Sequence, residues 1–112
     1  MADDRSNLDP DMGLGRFTEP ALLILISLAE GEKHGYAMMQ DIAATANTRI
    51  GPGTLYGALA RLETRGWIES VSSDDRRRPY RLTASGAAAL TAQLTGMEKL
   101  ATTGLRRLGV AT

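Results

Sequence analysis

The chain has 112 residues, 43% of them hydrophobic, enough for one domain with its own core and too few for two. Thirteen Lys plus Arg balance thirteen Asp plus Glu, so bulk charge gives no argument for a polyanionic partner, although a local patch stays open. No cysteine and a single histidine exclude disulfides, thiolate zinc sites, a Cys nucleophile and multi-histidine metal sites. With carboxylates scattered over the amino-terminal segment and the helix ends, no catalytic residue, metal site or cofactor is expected.

Residues 1–16 are rich in Asp, Asn and Gly and almost free of apolar side chains, which predicts a mobile tail. The opening Met-Ala-Asp-Asp-Arg lacks the apolar stretch of a signal peptide. The longest apolar run, Pro20 to Leu28 with one Ser, is far short of the ~20 residues that span a bilayer. A cytoplasmic protein with no membrane partner is the expectation. Organisation begins at Phe17. Thr18 supplies a capping hydroxyl ahead of Glu19 and Pro20, Leu22, Leu25, Ile26 and Ala29 recur at helical spacing, and Gly31 closes this first helix.

A second helix is predicted over 35–46, entered through His34. Tyr36, Met39, Ile42, Ala43 and Ala46 form its stripe, and Gln40, Asp41 and Thr45 lie opposite. Gly51-Pro52-Gly53-Thr54 reads as a turn, from which Gly53 or Thr54 caps a third helix with a buried stripe of Leu55, Ala58, Leu59 and Leu62. That helix exposes Tyr56, Gly57, Ala60, Arg61 and Thr64 and ends at Gly66. The β-favouring Trp67-Ile68-Glu69-Ser70-Val71 and Tyr80-Arg81-Leu82 then make a hairpin, its tip carrying Asp74, Asp75, Arg76, Arg77 and Arg78. Pro79, unable to donate to a ladder, suits an edge or the first position of the second strand. Thr83 caps a last helix in which Leu90, Leu94, Met97, Ala101, Gly104 and Leu108 follow spacings of four and three, a coiled-coil seam. Gly96 and Gly104 each weaken that helix by roughly 1 kcal/mol relative to Ala, so it needs a partner surface.

The charge balance hides segregation. Residues 1–50 carry 4 positive against 8 negative groups and residues 51–112 carry 9 against 5. The positive excess falls on the third helix and the hairpin. Three helices, a hairpin and a further helix make a mainly α chain in the order of a winged helix-turn-helix, a fold that lays its third helix in a DNA major groove. Gly57 and Ala60 on the exposed face allow close approach to base edges, and Tyr56 and Arg61 reach phosphates or bases.

These residues carry a resemblance. His34-Gly35-Tyr36, the run from Pro52-Gly53-Thr54-Leu55-Tyr56 to Leu62-Glu63, Gly66-Trp67-Ile68-Glu69-Ser70, and Pro79-Tyr80-Arg81-Leu82-Thr83 followed by Gly86 make the chain similar to the PadR family of transcriptional regulators over roughly residues 17–95. The resemblance implies a homodimeric winged-helix protein, usually a repressor, that binds an inverted repeat in promoter double-stranded DNA. It places Tyr36, Gly53, Thr54 and Tyr56 at the DNA and brings Arg76, Arg77 and Arg78 to the adjacent minor groove or backbone. It also assigns dimerisation to the single C-terminal helix, here Leu90, Leu94, Met97, Ala101 and Leu108. The resulting division is a tail (1–16), a DNA-binding domain (17–83) and a dimerisation helix (84–112).

Some relatives in that family stack planar small molecules on an aromatic residue of the C-terminal helix, and residues 87–112 contain no Phe, Tyr or Trp. A small-molecule effector therefore has no identified place. Trp67 at the start of the hairpin reads as a packing residue. The alternative is a winged-helix module that binds protein and not DNA; it would require a larger and more apolar exposed face on the third helix.

Overall fold

The computed structural model describes residues 19–71 and 78–110. The expected tail 1–16, Phe17, Thr18, and Asp74, Asp75, Arg76 and Arg77 of the hairpin tip lie outside the described residues. In chain order the elements are α1 (Pro20–Leu28), α2 (Gly35–Ala46), α3 (Pro52–Arg65), β1 (Ile68–Ser70), β2 (Tyr80–Leu82) and α4 (Ala84–Arg107).

α1 starts with Pro20 at its first position and Glu19 at the N-cap, one residue later than the expected Thr18 cap, and Glu19 makes no side-chain capping bond. Proline sets this boundary, because its fixed φ and missing N–H suit the first helical position. The expected stripe is also corrected. Leu22, Leu23, Ile24, Leu25, Ser27 and Leu28 are buried, whereas Ile26 and Ala29 are exposed. α1 packs against α2, α3, α4 and β2, so nearly its whole circumference is covered, as for any helix that is apolar all round. Each fully buried Leu or Ile here is worth roughly 1.5–3 kcal/mol of transfer free energy.

α2 has the expected bounds but is rotated relative to the expected stripe. Gly35, Met38 and Ile42 are buried, Met39 and Ala46 are partly so, and Tyr36 stands in solvent. α3 buries Leu55, Ala58, Leu59 and Leu62, as its spacing predicts. Its start is corrected: Gly51 is the N-cap and Pro52 the first helical residue, so Gly53 and Thr54 lie inside the first turn. Gly66 ends α3 at φ 80°, donating its N–H to the Leu62 and Glu63 carbonyls, a left-handed cap that glycine adopts without steric cost.

β1 and β2 pair antiparallel, with Ile68 opposite Leu82, Glu69 opposite Arg81 and Ser70 opposite Tyr80. Pro79 precedes β2 and its carbonyl accepts the Val71 N–H at 2.9 Å. A single bridge between Lys33 and Tyr80 adds a third segment to this small sheet, with Tyr80 N–H to Lys33 O at 2.9 Å and Lys33 N–H to Tyr80 O at 3.1 Å. Such a one-residue pairing has no periodicity for the sequence to show. Thr83 caps α4 as expected, its Oγ1 accepting the Gly86 N–H at 3.0 Å and donating to the Gly66 carbonyl at 2.6 Å. Gly86 is buried against the backbone of Trp67, whose carbonyl oxygen occupies the space a Cβ would need. Trp67 packs on the core, with the Arg65 guanidinium 4.7 Å from its ring centroid.

Leu90 of α4 is 5% exposed and belongs to the common core with Ile24, Met38, Leu55 and Ile68. Met97 packs partly against that core, and beyond it α4 continues without cover through an exposed Leu100 and Leu105 to Leu108, which is the C-cap and 78% exposed. Among the described residues no helix is long and apolar enough to cross a membrane.

Candidate nucleic-acid interface

The buried stripe of α3 fixes what its other face presents. With Leu55, Ala58, Leu59 and Leu62 turned inward, Gly53, Thr54, Tyr56, Gly57, Ala60, Arg61 and Thr64 are exposed. The centre of this face is low. A Cβ built at Gly57 would have only the Arg61 guanidinium within 4 Å, at 3.9 Å, and Thr64 folds its hydroxyl back onto the Ala60 carbonyl at 2.9 Å. A surface of this kind can come close to a large concave partner. Gly53 and Thr54 add first-turn N–H groups that the helix leaves unused, suited to an anion such as phosphate.

Two tyrosines stand at the amino-terminal end of this face. Tyr56 is 50% exposed and its hydroxyl lies against Gly35, where a Cβ would collide with it and with Leu55. Glycine at that position lets the start of α2 come against α3. The next residue, Tyr36, is 67% exposed, and its hydroxyl accepts a bond from Gln40 Nε2 at 3.3 Å. The structure therefore brings Tyr36, Gly53, Thr54, Tyr56 and Arg61 together on the α2–α3 unit. Gln40, which the periodicity puts on the polar face of α2, joins this end of the site through that bond, and its i+4 spacing from Tyr36 is the signal in the sequence.

The hairpin lies at the other end of α3. Arg78 sits between elements, its guanidinium 3.9 Å from Glu63 of α3 and 5.7 Å from the Tyr80 ring centroid. Burial pushes the Tyr80 hydroxyl above its ordinary value, against the opposing pull of Arg78, so the ring stays neutral at physiological pH. Arg81 is engaged by Glu69 across the ladder at 2.7 Å. Arg61, by contrast, has no ion-pair partner among the described residues. Exposed pairs such as Arg78–Glu63 contribute about 0–1 kcal/mol, little enough for a phosphate to compete for the arginine. Arg76 and Arg77, expected beside Arg78, lie outside the described residues.

Of the seam residues on α4, Leu94, Ala101 and Leu108 are exposed and Met97 is half-buried. Leu90 is a correction, because its side chain is already consumed by the core of its own domain. Leu100 and Leu105 extend the exposed apolar surface; a strict alternation of four and three residues passes over both.

A helical pair with an exposed second helix of low relief, followed by a short antiparallel hairpin against its far end, defines a winged helix-turn-helix protein. The family model described as "Transcriptional regulator PadR-like family" matches residues 24–92. This chain belongs to that family, and is thus a DNA-binding transcriptional regulator and not an enzyme. It is 41% identical over 83 residues to the transcriptional regulator Rv3488 of Mycobacterium tuberculosis, covering 71% of this chain and 77% of that protein. It is also 39% identical over 85 residues to an uncharacterized 37.1 kDa protein of transposon TN4556 from Streptomyces fradiae; the match takes in 76% of this chain and only a quarter, 25%, of that longer protein. The fold matches the crystal structure of a PadR family transcription regulator from Clostridium difficile R20291 with a TM-score of 0.70 at 23% identity, over 80% of this chain and 97% of that one.

Proposed function

We propose that this protein is a homodimeric repressor that binds an inverted-repeat promoter operator, with α3 in the major groove and the hairpin on the adjacent backbone or minor groove. The observation that carries the reading is the exposed face of α3. It is bare at Gly57 and Ala60 and ringed by hydrogen-bonding and cationic groups, which suits base edges and phosphates better than the apolar surface a protein-binding module needs. Tyr36, Gly53, Thr54 and Tyr56 position the helix, Arg61 reaches bases or phosphates, and Arg76, Arg77 and Arg78 supply the wing contacts. Residues 17–83 form the DNA-binding domain, residues 84–112 the dimerisation helix, and residues 1–16 a tail outside both. The protein works in the cytoplasm, and no effector is assigned.

The free end of α4 supports the dimer. Beyond Met97 it offers Leu100, Leu105 and Leu108 to solvent, and a helical segment that short is marginal in water without a surface to pack on. Pairing with a second copy through Leu94, Met97, Ala101 and Leu108 covers it. Two symmetry-related α3 helices then meet half-sites about one helical turn (~10 bp) or a multiple apart. A mobility-shift assay on the DNA upstream of the protein's own gene or a neighbouring one, repeated over a range of salt, tests this. If each subunit contacts roughly four phosphates, log affinity falls against log salt with a slope of about −7. Binding that is absent or independent of salt overturns the proposal.

A further inference from the structure

We propose that Lys33 is a positioning residue that holds the wing at its angle to the recognition helix, by anchoring the strand residue that pairs with Tyr80. The inference rests on the DNA-binding reading of α3 and the hairpin. It starts from a side chain that the proposed interface does not use.

Lys33 precedes α2, yet its side chain is only 14% exposed. Its Nζ donates to the Ser27 carbonyl near the end of α1, pairs with Glu30 at 2.6 Å and stands 3.8 Å from Asp41 Oδ2 on α2. The same Asp41 oxygen accepts the hydroxyl of Ser27 at 2.6 Å, a residue itself only 2% exposed. One ammonium thus ties α1, the following loop and α2 together. Its main chain does something different: the N–H and C=O of Lys33 are both bonded to Tyr80.

Tyr80 opens β2, the returning strand of the wing. Arg78, two residues earlier, lies over the Tyr80 ring and faces Glu63 of α3. The path from Ser27 and Asp41 through Lys33 and Tyr80 to Arg78 therefore runs from the helical core to a wing cation beside the recognition helix. Two backbone bonds on one residue pair are a weak tether if residue 33 is itself loose. The largely covered ammonium, held on three sides, removes that looseness and gives the wing a fixed seat.

The test uses the full chain and the variants Lys33→Met, which keeps the stem and removes the charge, and Lys33→Arg, which restores it. Hydrogen exchange at the Tyr80 amide should be about tenfold faster in Lys33→Met and near wild type in Lys33→Arg, while amides inside α3 keep their protection. DNA affinity is measured with a labelled duplex of the DNA upstream of the protein's own gene. Arg78→Ala should weaken wild-type binding about fivefold, but less than about twofold in the Lys33→Met background, because a wing that has lost its seat no longer delivers Arg78. Unchanged Tyr80 exchange, or an Arg78→Ala effect of equal size in both backgrounds, overturns the proposal. Should the wild type bind neither that duplex nor the DNA upstream of a neighbouring gene, it is the proposed operator reading that fails, and the exchange result still decides whether Lys33 seats the wing.

Discussion

Gly57 separates stability from function more cleanly than any other position on α3. It lies inside a helix, is exposed, and a Cβ there would meet nothing closer than the Arg61 guanidinium at 3.9 Å. Glycine in an exposed helix interior costs about 1 kcal/mol relative to Ala, and Leu ranks near Ala. Gly57→Leu should therefore raise stability by about 1 kcal/mol and Tm by about 4 °C for a domain of this size, measured by circular dichroism at a fixed protein concentration. If the bare centre of α3 is what lies against DNA, the same isobutyl group holds the helix off the base edges and lowers affinity by at least ~10-fold, the equivalent of ~1.4 kcal/mol, in fluorescence anisotropy with operator DNA. Gly96→Ala on α4, where a Cβ likewise meets nothing within 4 Å, serves as control, with a similar gain in Tm and unchanged binding. A Gly57→Leu protein that is more stable and binds DNA as the wild type does would refute the placement of α3. One that is less stable would refute the exposure of that face.

Replacing Arg76, Arg77 and Arg78 together by Ala should weaken binding to all DNA sequences alike, whereas Tyr56→Ala or Arg61→Ala should also relax the preference for operator over random DNA; equal loss of discrimination in both sets would contradict this division of roles. Leu94→Asp should convert the proposed dimer to a monomer by light scattering, and a persistent dimer would move the interface to another surface. Gly86→Ala pushes a methyl group into the Trp67 carbonyl, which is held by the Thr83 N–H at 3.1 Å. Overpacking of this kind costs about 1–3 kcal/mol, so thermal unfolding several degrees below wild type is expected, and an unchanged Tm would show that α4 and the hairpin pack less closely.

Local signals were reliable where a helix has one wet face and one dry one. α3 is such a helix, and its buried stripe, its exposed residues and its Gly66 cap are all legible in the spacing. The same rule failed for α1, which is enclosed by four other elements, so periodicity carried no information about which residues are buried. It failed for α2 for the opposite reason: Tyr36 is apolar enough to be drawn into the stripe, but Gly35 and Met38 have better access to α1 and α3 and take the inner face. The composition of Gly51-Pro52-Gly53-Thr54 predicts a turn, whereas the geometry of Pro52 serves equally well to open a helix, as it does here.

By itself, the sequence determined the element order, the family, the low relief of α3 and the cap at Thr83, because each follows from residues within a few positions of one another. Only tertiary structure decided that Leu90 belongs to the core and not to the seam, that Arg78 faces Glu63, and that Lys33 joins the core to Tyr80. The Arg78–Glu63 and Lys33–Tyr80 contacts unite residues 15 and 47 positions apart and Leu90 joins core residues as distant in the chain as Ile24, and no local propensity or period records a meeting made only when separate elements pack.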